Sequence, residues 1–422
     1  MARRGRRPVP WVIAGAALLA SLAMVLVVLL GGDEGPTEVW RAESGGNGGE
    51  LDLALWAHDG VVTRVGPTAA EDVTGYDAAD GTVLWETPAP VGTYGPCAAS
   101  EHTNAEGVGA VLHHSGEAEG CTVVTVIDTH DGEVLWSRDL SGLGPSPVDD
   151  TVTATVGEAT LTVNLSPANA AASFQRFDLA SGEPLPALAP VADGDCDHGW
   201  TPLSIDHADE RVVTLATCEG PSGEPLTPPR FANHVHDTAT GEHLWSRDMA
   251  DANEAIADVR YGEPGAPLIV VESGHLVAYT ETGEALWRLA TDGQGLSERA
   301  VADGVLIAEQ LDDTSEPVVF EGYAVDSGER MWRGEFPPLT SFLGADDADG
   351  VALLGSYHYQ RGEGGQLTLT WLDLADGTGS DIGTVPFPLE RGLIASSAAI
   401  DADRLYLGGP LEPEVRLRAF AR

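Results

Sequence analysis

One ten-residue phrase recurs through this chain and constrains its fold more than any other feature. Residues 76–85 read YDAADGTVLW, residues 127–136 read IDTHDGEVLW and residues 236–245 read HDTATGEHLW. Aligned on the turn glycine, the copies number seven: Gly81, Gly132, Gly182, Gly241, Gly283, Gly328 and Gly377. Their spacings are 51, 50, 59, 42, 45 and 49 residues. Five of the seven have an aspartate four residues earlier: Asp77, Asp128, Asp178, Asp237 and Asp373. Five have a tryptophan four residues later: Trp85, Trp136, Trp245, Trp287 and Trp332. A period of about 40–50 residues belongs to a propeller or a solenoid.

The units read as β-structure. Short runs rich in β-branched or apolar residues precede the turns, as in TVVTVID (122–128), ASFQRFD (172–178) and LTLTWLD (367–373). The Asp-to-Gly segment is a tight turn, in which the carboxylate can accept backbone amides and glycine can take positive φ. A second hairpin stands earlier in the units, at 53–65, 300–310 and 344–355. Each unit therefore holds about four strands, the content of a propeller blade.

The two ends of the repeat region complement each other. VRLRAFAR (415–422) resembles the strand before a turn, and TEVWRAES (37–44) the strand after one, with Trp40 one period ahead of Trp85. The expected fold is all-β: an eight-bladed β-propeller of four-stranded blades over residues 37–422, its last blade closed by residues near 37–44. The repeat tryptophans, Trp40, Trp85, Trp136, Trp245, Trp287 and Trp332, should fill the wedges between twisted blades. Pro186 and Asp381 replace the tryptophan in units three and seven, so those seams should pack differently.

The register Asp-x-x-[Thr/Ser/Asp]-Gly-[Glu/Thr]-x-Leu-Trp resembles the PQQ-like β-propeller repeat, and the resemblance covers nearly everything after residue 37. It is specific for architecture and poor for function. One branch of that family, the quinoprotein dehydrogenases, uses pyrroloquinoline quinone and calcium beside a disulfide between adjacent cysteines. No two cysteines are adjacent here. The other branch holds proteins without a cofactor, as in the lipoprotein propeller of the outer-membrane β-barrel assembly machinery. The resemblance thus implies a non-catalytic scaffold or sensor, with a PQQ-dependent oxidoreductase as the alternative.

A further segment precedes the repeats. Residues 1–10 carry four arginines and no acid, and Trp11–Leu30 is 20 residues without a charge. At 1.5 Å per residue that run spans about 30 Å, the hydrocarbon thickness of a bilayer. We read a cytoplasmic basic tail (1–10), a transmembrane signal-anchor helix (11–30), a linker (31–36) and an extracytoplasmic propeller, in a single-pass cell-membrane protein. A cleaved signal peptide is the rival, but its apolar run is usually only about 7–15 residues.

Charge narrows the partners. The chain has 66 acids against 22 basic residues, all of them arginine, for a net charge of −44. Such a surface repels phosphate backbones, which argues against nucleic acid. The bland reading is a solvated acidic surface. A protein or cell-envelope ligand remains the expected partner. Four cysteines in an exported chain point to disulfides, and the local pairing Cys97–Cys121 and Cys196–Cys218 keeps each inside one repeat.

Signals of chemistry are few. No P-loop, G-x-S-x-G or H-E-x-x-H occurs, and no catalytic, cofactor-binding or metal-ligating set is assigned. His234 and His236 could present two imidazoles on one face of a strand, without an identifiable third ligand. His113 and His114 are expected to face solvent. Asp193, Asp195 and Asp197 alternate as in a calcium loop, but Ser204 stands where the bidentate glutamate belongs. GADDADG (344–350) is a weaker acidic turn of the same kind. The longest unit, around Pro221–Pro228, and the two cysteine pairs point to an enlarged, partner-contacting rim on blades two to four.

Overall fold

The computed structural model describes residues 36–43, 52–66, 73–116, 119–140, 153–164, 174–191, 196, 199–208, 211–218, 229–249, 259–260, 267–272, 275–290, 295–311, 317–346, 349–360, 364–387, 398–412 and 415–422. No helix among the described residues is long and apolar enough to cross a membrane. The proposed anchor, Trp11–Leu30, lies outside them.

The described residues form eight antiparallel sheets, each a meander in which sequence neighbours pair. Blades 1 to 7 span 54–87, 96–139, 153–178, 200–249, 259–290, 295–336 and 340–387. Blade 8 comprises 398–421 together with Glu38–Glu43, which lies antiparallel to Val415–Ala421 with Trp40 opposite Ala419. The first strand of the propeller is thus the outermost strand of its last blade. Backbone hydrogen bonds tie the two ends of the region into one ring and leave no open seam there.

The repeat turns are built alike. Asp77 Oδ1 accepts the Ala79 amide at 2.7 Å and Asp128 Oδ1 the His130 amide at 2.8 Å. Gly81 and Gly132 then take φ of 73° and 74°, a region a Cβ disfavours. A second reason for glycine lies outside the turn. A Cβ on Gly81 would stand 2.5 Å from the Trp40 ring of the preceding blade, and one on Gly132 2.5 Å from Trp85. The same stacking joins Gly182 to Trp136, Gly283 to Trp245, Gly328 to Trp287 and Gly377 to Trp332. The ring nitrogen completes most of these contacts. Trp40, Trp136, Trp287 and Trp332 donate to the carbonyls of Ala78, Leu179, Val325 and Leu374 at 2.9, 2.7, 2.7 and 2.7 Å. In each case the acceptor is the residue four before the next blade's turn glycine plus one, inside the next turn. The hydrophobic clusters follow the same plan and bridge neighbouring blades, as where Val124 and Leu112 of blade 2 meet Leu161 and Phe177 of blade 3.

The two units lacking the tryptophan differ as their sequences require. In blade 7, Asp381 accepts the Thr370 hydroxyl at 3.2 Å. Its seam with blade 8 is filled by Leu353, Leu367, Leu369, Leu405, Leu407 and Phe420. The terminal Arg422 adds ion pairs to Asp346 and to Asp349, the latter at 3.0 Å, and lies 5.0 Å over the Trp371 ring. The acids of the 344–350 turn are therefore engaged with an arginine.

Seven of the sheets have the expected four strands, and blade 3 differs from them. Among the described residues it has three, Thr153–Val156, Thr160–Asn164 and Phe174–Asp178. The segment after its turn begins to pair, through a Phe177–Pro184 bridge and a Leu185 amide on the Arg176 carbonyl at 2.9 Å, and then departs. Pro184, Pro186 and Pro190 lack the N–H groups that a ladder needs.

The seam contact can be tested at Trp332, which is 6% exposed. Trp332→Ala should lower stability by about 3–5 kcal/mol. Trp332→Phe, which keeps a ring but loses the N–H, should cost only about 1–2 kcal/mol. Urea unfolding followed by circular dichroism checks both values, and equal losses would mean that ring packing is not the main term.

Candidate functional site

The departure of the proline segment from blade 3 leaves a cleft of about 760 Å³ against blade 4. After Leu185 the segment crosses the seam as a strap. The Ala189 amide donates to the Gly241 carbonyl at 2.8 Å, and the Ala189 carbonyl lies 3.3 Å from His236 Nε2. Arg176 takes the place of the missing tryptophan. Its guanidinium donates to the carbonyl of Thr238, the position that receives indole N–H groups in other seams, and to the carbonyl of Pro186. A Cβ on Gly241 would lie 2.8 Å from Arg176 Nη2 and from the Ala187 carbonyl oxygen, not from an indole. Burial pulls the pKa of Arg176 down from its ordinary value, an effect that Asp237 opposes.

Blade 4 supplies the other wall. His234 and His236 alternate along Phe231–Asp237 and so share one face of the strand. His243, on the neighbouring strand His243–Met249, is the imidazole that sequence reading did not find. Its ring centroid lies 5.4 Å from that of His236 and 6.0 Å from that of His234. Ser246 Oγ stands 2.7 Å from both His234 Nδ1 and His243 Nε2, so these nitrogens serve a hydroxyl. No group of three or more His, Cys, Asp or Glu suited to a metal ion is found among the described residues. Trp200 meets His234 edge to face at 4.8 Å. Burial first, then the proximity of His243 and Arg176, drives His236 down to about 4, against the opposing hydrogen bonds to Ala189 and His234.

Arg176 and His243 carried sequence signals that were visible only in alignment. Position six before the turn glycine holds glycine or valine in blades 1, 2, 4, 5 and 6, but Arg176 in blade 3 and Trp371 in blade 7. These are the two units without the wedge tryptophan. His243 stands where the other copies of the Gly-x-x-[Leu/Met]-Trp phrase have Val83, Val134, Ala285 and Arg330.

The two disulfides are Cys97–Cys121 and Cys196–Cys218. Cys97 follows Pro96 at the start of the innermost strand of blade 2 and Cys121 falls near the start of its third. Cys196 precedes the innermost strand of blade 4 and Cys218 ends its second. In a meander all four positions lie at one end of the ring, opposite the glycine turns. The connection between blades 1 and 2 lies at that end too, and exposes Val91 and Tyr94 beside Cys97. It is held by the Tyr94 amide on the His114 carbonyl at 2.9 Å and the His114 amide on the Gly95 carbonyl at 3.0 Å.

His113 requires a correction. It does not face solvent but is 2% exposed, without a side-chain hydrogen-bond partner among the described residues. Adjacent residues on a strand do point to opposite faces, but both faces of a blade are covered by its neighbours. Burial, with a smaller contribution from His114, lowers its pKa to about 4. Asp193, Asp195, Asp197 and the segment 221–228 lie outside the described residues.

The family model described as outer membrane protein assembly factor BamB matches residues 29–183 and 233–407. The unmatched interval contains the proline strap, the Cys196–Cys218 bridge and Trp200. The outer membrane protein assembly factor BamB of Shewanella oneidensis is 29% identical over 107 residues, covering 23% of this chain and 26% of that protein. Among solved structures, BamB from Moraxella catarrhalis superposes with a TM-score of 0.52 at 14% identity, over 90% of this chain and all of that one. Quinohemoprotein alcohol dehydrogenase ADHIIG from Pseudomonas putida HK5 gives 0.53 at 12% identity, over 91% of this chain and 76% of that one. These last two likenesses show the shared fold.

Two buried histidines with lowered pKa make stability depend on pH. Their folded-state values near 4 lie below the ordinary 6.5, so the unfolded chain binds protons first as pH falls. The stability that their neutral forms support is complete above about 6.5 and declines toward about 4. Urea unfolding at pH 7 and pH 5 should show His113→Leu gaining on the parent by up to about 2 kcal/mol at the lower pH. An unchanged difference between parent and variant would refute the assignment.

Proposed function

The chain belongs to the family of the outer membrane protein assembly factor BamB, and on that premise we propose that it is a membrane-anchored, extracytoplasmic scaffold or sensor with no catalytic activity. The observation that carries this reading is where the repeats agree and where they differ. Their shared polar and aromatic groups are spent inside the seams, on turns and neighbouring blades. The departures gather on blades 2 to 4 and on the connection that leads into them: two disulfides, the strap, and an exposed apolar pair, Val91 and Tyr94, on the pinned connection between blades 1 and 2. A braced surface bearing exposed apolar side chains is suited to holding a protein partner.

The disulfides agree with an oxidising compartment outside the cytoplasm. The arginine-headed apolar run Trp11–Leu30 supplies the anchor in this reading. The linker 31–36 would reach at most about 20 Å, which keeps the propeller close to the bilayer and favours a partner in the same membrane.

A second reading, a quinone-dependent oxidoreductase, has in its favour the shared fold with quinohemoprotein alcohol dehydrogenase. Against it, each cysteine here bridges to one more than twenty residues away, so none can form the adjacent-cysteine disulfide which the resemblance to that branch requires.

Site-directed photocrosslinking in cells separates these readings. A photoreactive residue at Val91 should trap a discrete protein identifiable by mass spectrometry, whereas one at Leu286, on the outer strand of blade 5, should not. Equal trapping at both positions, or none at Val91, would argue against the proposed face. A visible chromophore with dye-linked alcohol oxidation, after addition of pyrroloquinoline quinone and calcium, would replace the scaffold reading with the enzymatic one.

A further inference from the structure

We propose that the cleft between blades 3 and 4 receives an extended, acidic peptide segment of a partner protein, laid along the uncovered edge of blade 3. This deepens the scaffold reading and rests on it.

The first argument is backbone geometry. In an antiparallel ladder alternate residues turn both N–H and C=O toward the same side. In Phe174–Asp178 the outward residues are Asp178, Arg176 and Phe174. The Asp178 amide is taken by the Glu183 carbonyl, and the Arg176 carbonyl accepts the Leu185 amide, both at 2.9 Å. There the strap leaves. The next outward pair, on Phe174, has no strand beside it among the described residues, and Phe174 lines the cleft. An exposed edge is a template for another extended backbone. In blade 4 one strand, His243–Met249, fills the whole of this place, whereas in blade 3 the strap takes its first part and leaves the end at Phe174 open to an occupant.

The second argument is charge. Among the described residues, the titratable side chains that line the cleft are Arg176, His234 and His236, and none of these is acidic. In a chain with 66 acids and 22 basic residues that is a marked departure from the average surface. Arg176 places two N–H bonds on the Thr238 and Pro186 carbonyls, and a guanidinium has five donors. It can therefore hold the seam and still meet a carboxylate. Within the cleft the apolar surface of Trp200 and Phe174 adjoins these groups, so alternating acidic and aliphatic side chains match both kinds of wall.

The third argument is that this cleft is an elaboration of the repeat. The family match stops at residue 183 and resumes at 233, on either side of the strap. The prolines, the Cys196–Cys218 bridge and Trp200 all fall within that gap, while Arg176 lies inside the matched region that precedes it.

Binding can be read by fluorescence anisotropy with the full-length protein in detergent and a fluorescein-labelled Val-Glu-Val-Glu-Val-Glu-Val peptide. Saturable binding is expected, and the lysine counterpart should bind at least about tenfold more weakly. Of two peptides N-methylated on alternate residues, one should lose binding and the other retain it, because only alternate amides face a strand edge. Ala187, exposed on the strap at the cleft, offers a site for charge reversal without disturbing the core. Ala187→Glu should weaken binding roughly tenfold and Ala187→Arg should not, with unchanged circular dichroism and melting in both. Equal binding of the lysine peptide, tolerance of both methylation patterns, indifference to Ala187→Glu, or displacement by glutarate as effective as by peptide would each overturn the inference. So would absence of binding at about 1 mM peptide. Crosslinking at Val91, on blades 1 and 2, would be unaffected by such a failure and judges the scaffold reading separately.

Discussion

An indole laid on a turn glycine of the next blade is the contact on which this ring depends. Its magnitude is mostly packing. Burying an aromatic ring of about 150–250 Å² removes apolar surface worth roughly 4–6 kcal/mol, an upper bound because the unfolded chain already buries some of it. The N–H bond adds about 1 kcal/mol. The chain itself supports that ranking, since Trp85 and Trp245 stack on Gly132 and Gly283 although neither indole nitrogen has a partner among the described residues. Where the bond does form, it links two levels of structure. Ala78 donates its amide to the Gly60 carbonyl in its own blade at 2.9 Å and offers its carbonyl to Trp40. Val325 and Leu374 do the same with Gly304 and Gly350. Folding of one blade's inner hairpin thus sets the socket for its neighbour's tryptophan. Trp40 sits in a strand that belongs to blade 8 by hydrogen bonding and meets blade 1 by packing, so the last socket is filled by the first strand of the ring.

The exceptions show what the wedge accomplishes. Blade 7 keeps an aromatic ring by moving it to Trp371 and fills the seam with leucines, so the ring stays closed. Blade 3 substitutes Arg176, which can reach the Thr238 carbonyl but cannot fill the volume of an indole. A polar group that satisfies the hydrogen bond without the packing leaves a gap, and the gap is the cleft. The prolines have the same effect from the other side, because they prevent a fourth strand from covering the edge.

Much of this architecture was legible because it repeats. A turn whose glycine needs both positive φ and room for a neighbouring ring prints the same letters in each unit, so period, strand content and wedge residues could be read directly. What could not be read depended on residues distant in sequence. The acids Asp346 and Asp349 read as an isolated acidic turn because their partner, Arg422, stands more than seventy residues away. In blade 3 the repeat marks Pro186 as the missing tryptophan, but its effect together with Pro184 and Pro190, the loss of a ladder, shows only in the strand pairing. His113 was misplaced because strand alternation gives a face but not what covers that face. His243 joined His234 and His236 only through the cross-strand pairing of His236 with His243.

The distribution of charge gives the seam its significance. A uniformly acidic surface spreads repulsion over every approaching anion and selects none of them. Selectivity then requires a place where that repulsion is locally reversed and the charge is held out of solvent screening. Arg176 meets both conditions, buried at a seam beside His236, whose pKa burial lowers to about 4. The same substitution that weakens the packing between blades 3 and 4 therefore creates the exception to the chain's charge. A propeller made of nearly identical wedges can take on a specific partner where one wedge is replaced by a cation.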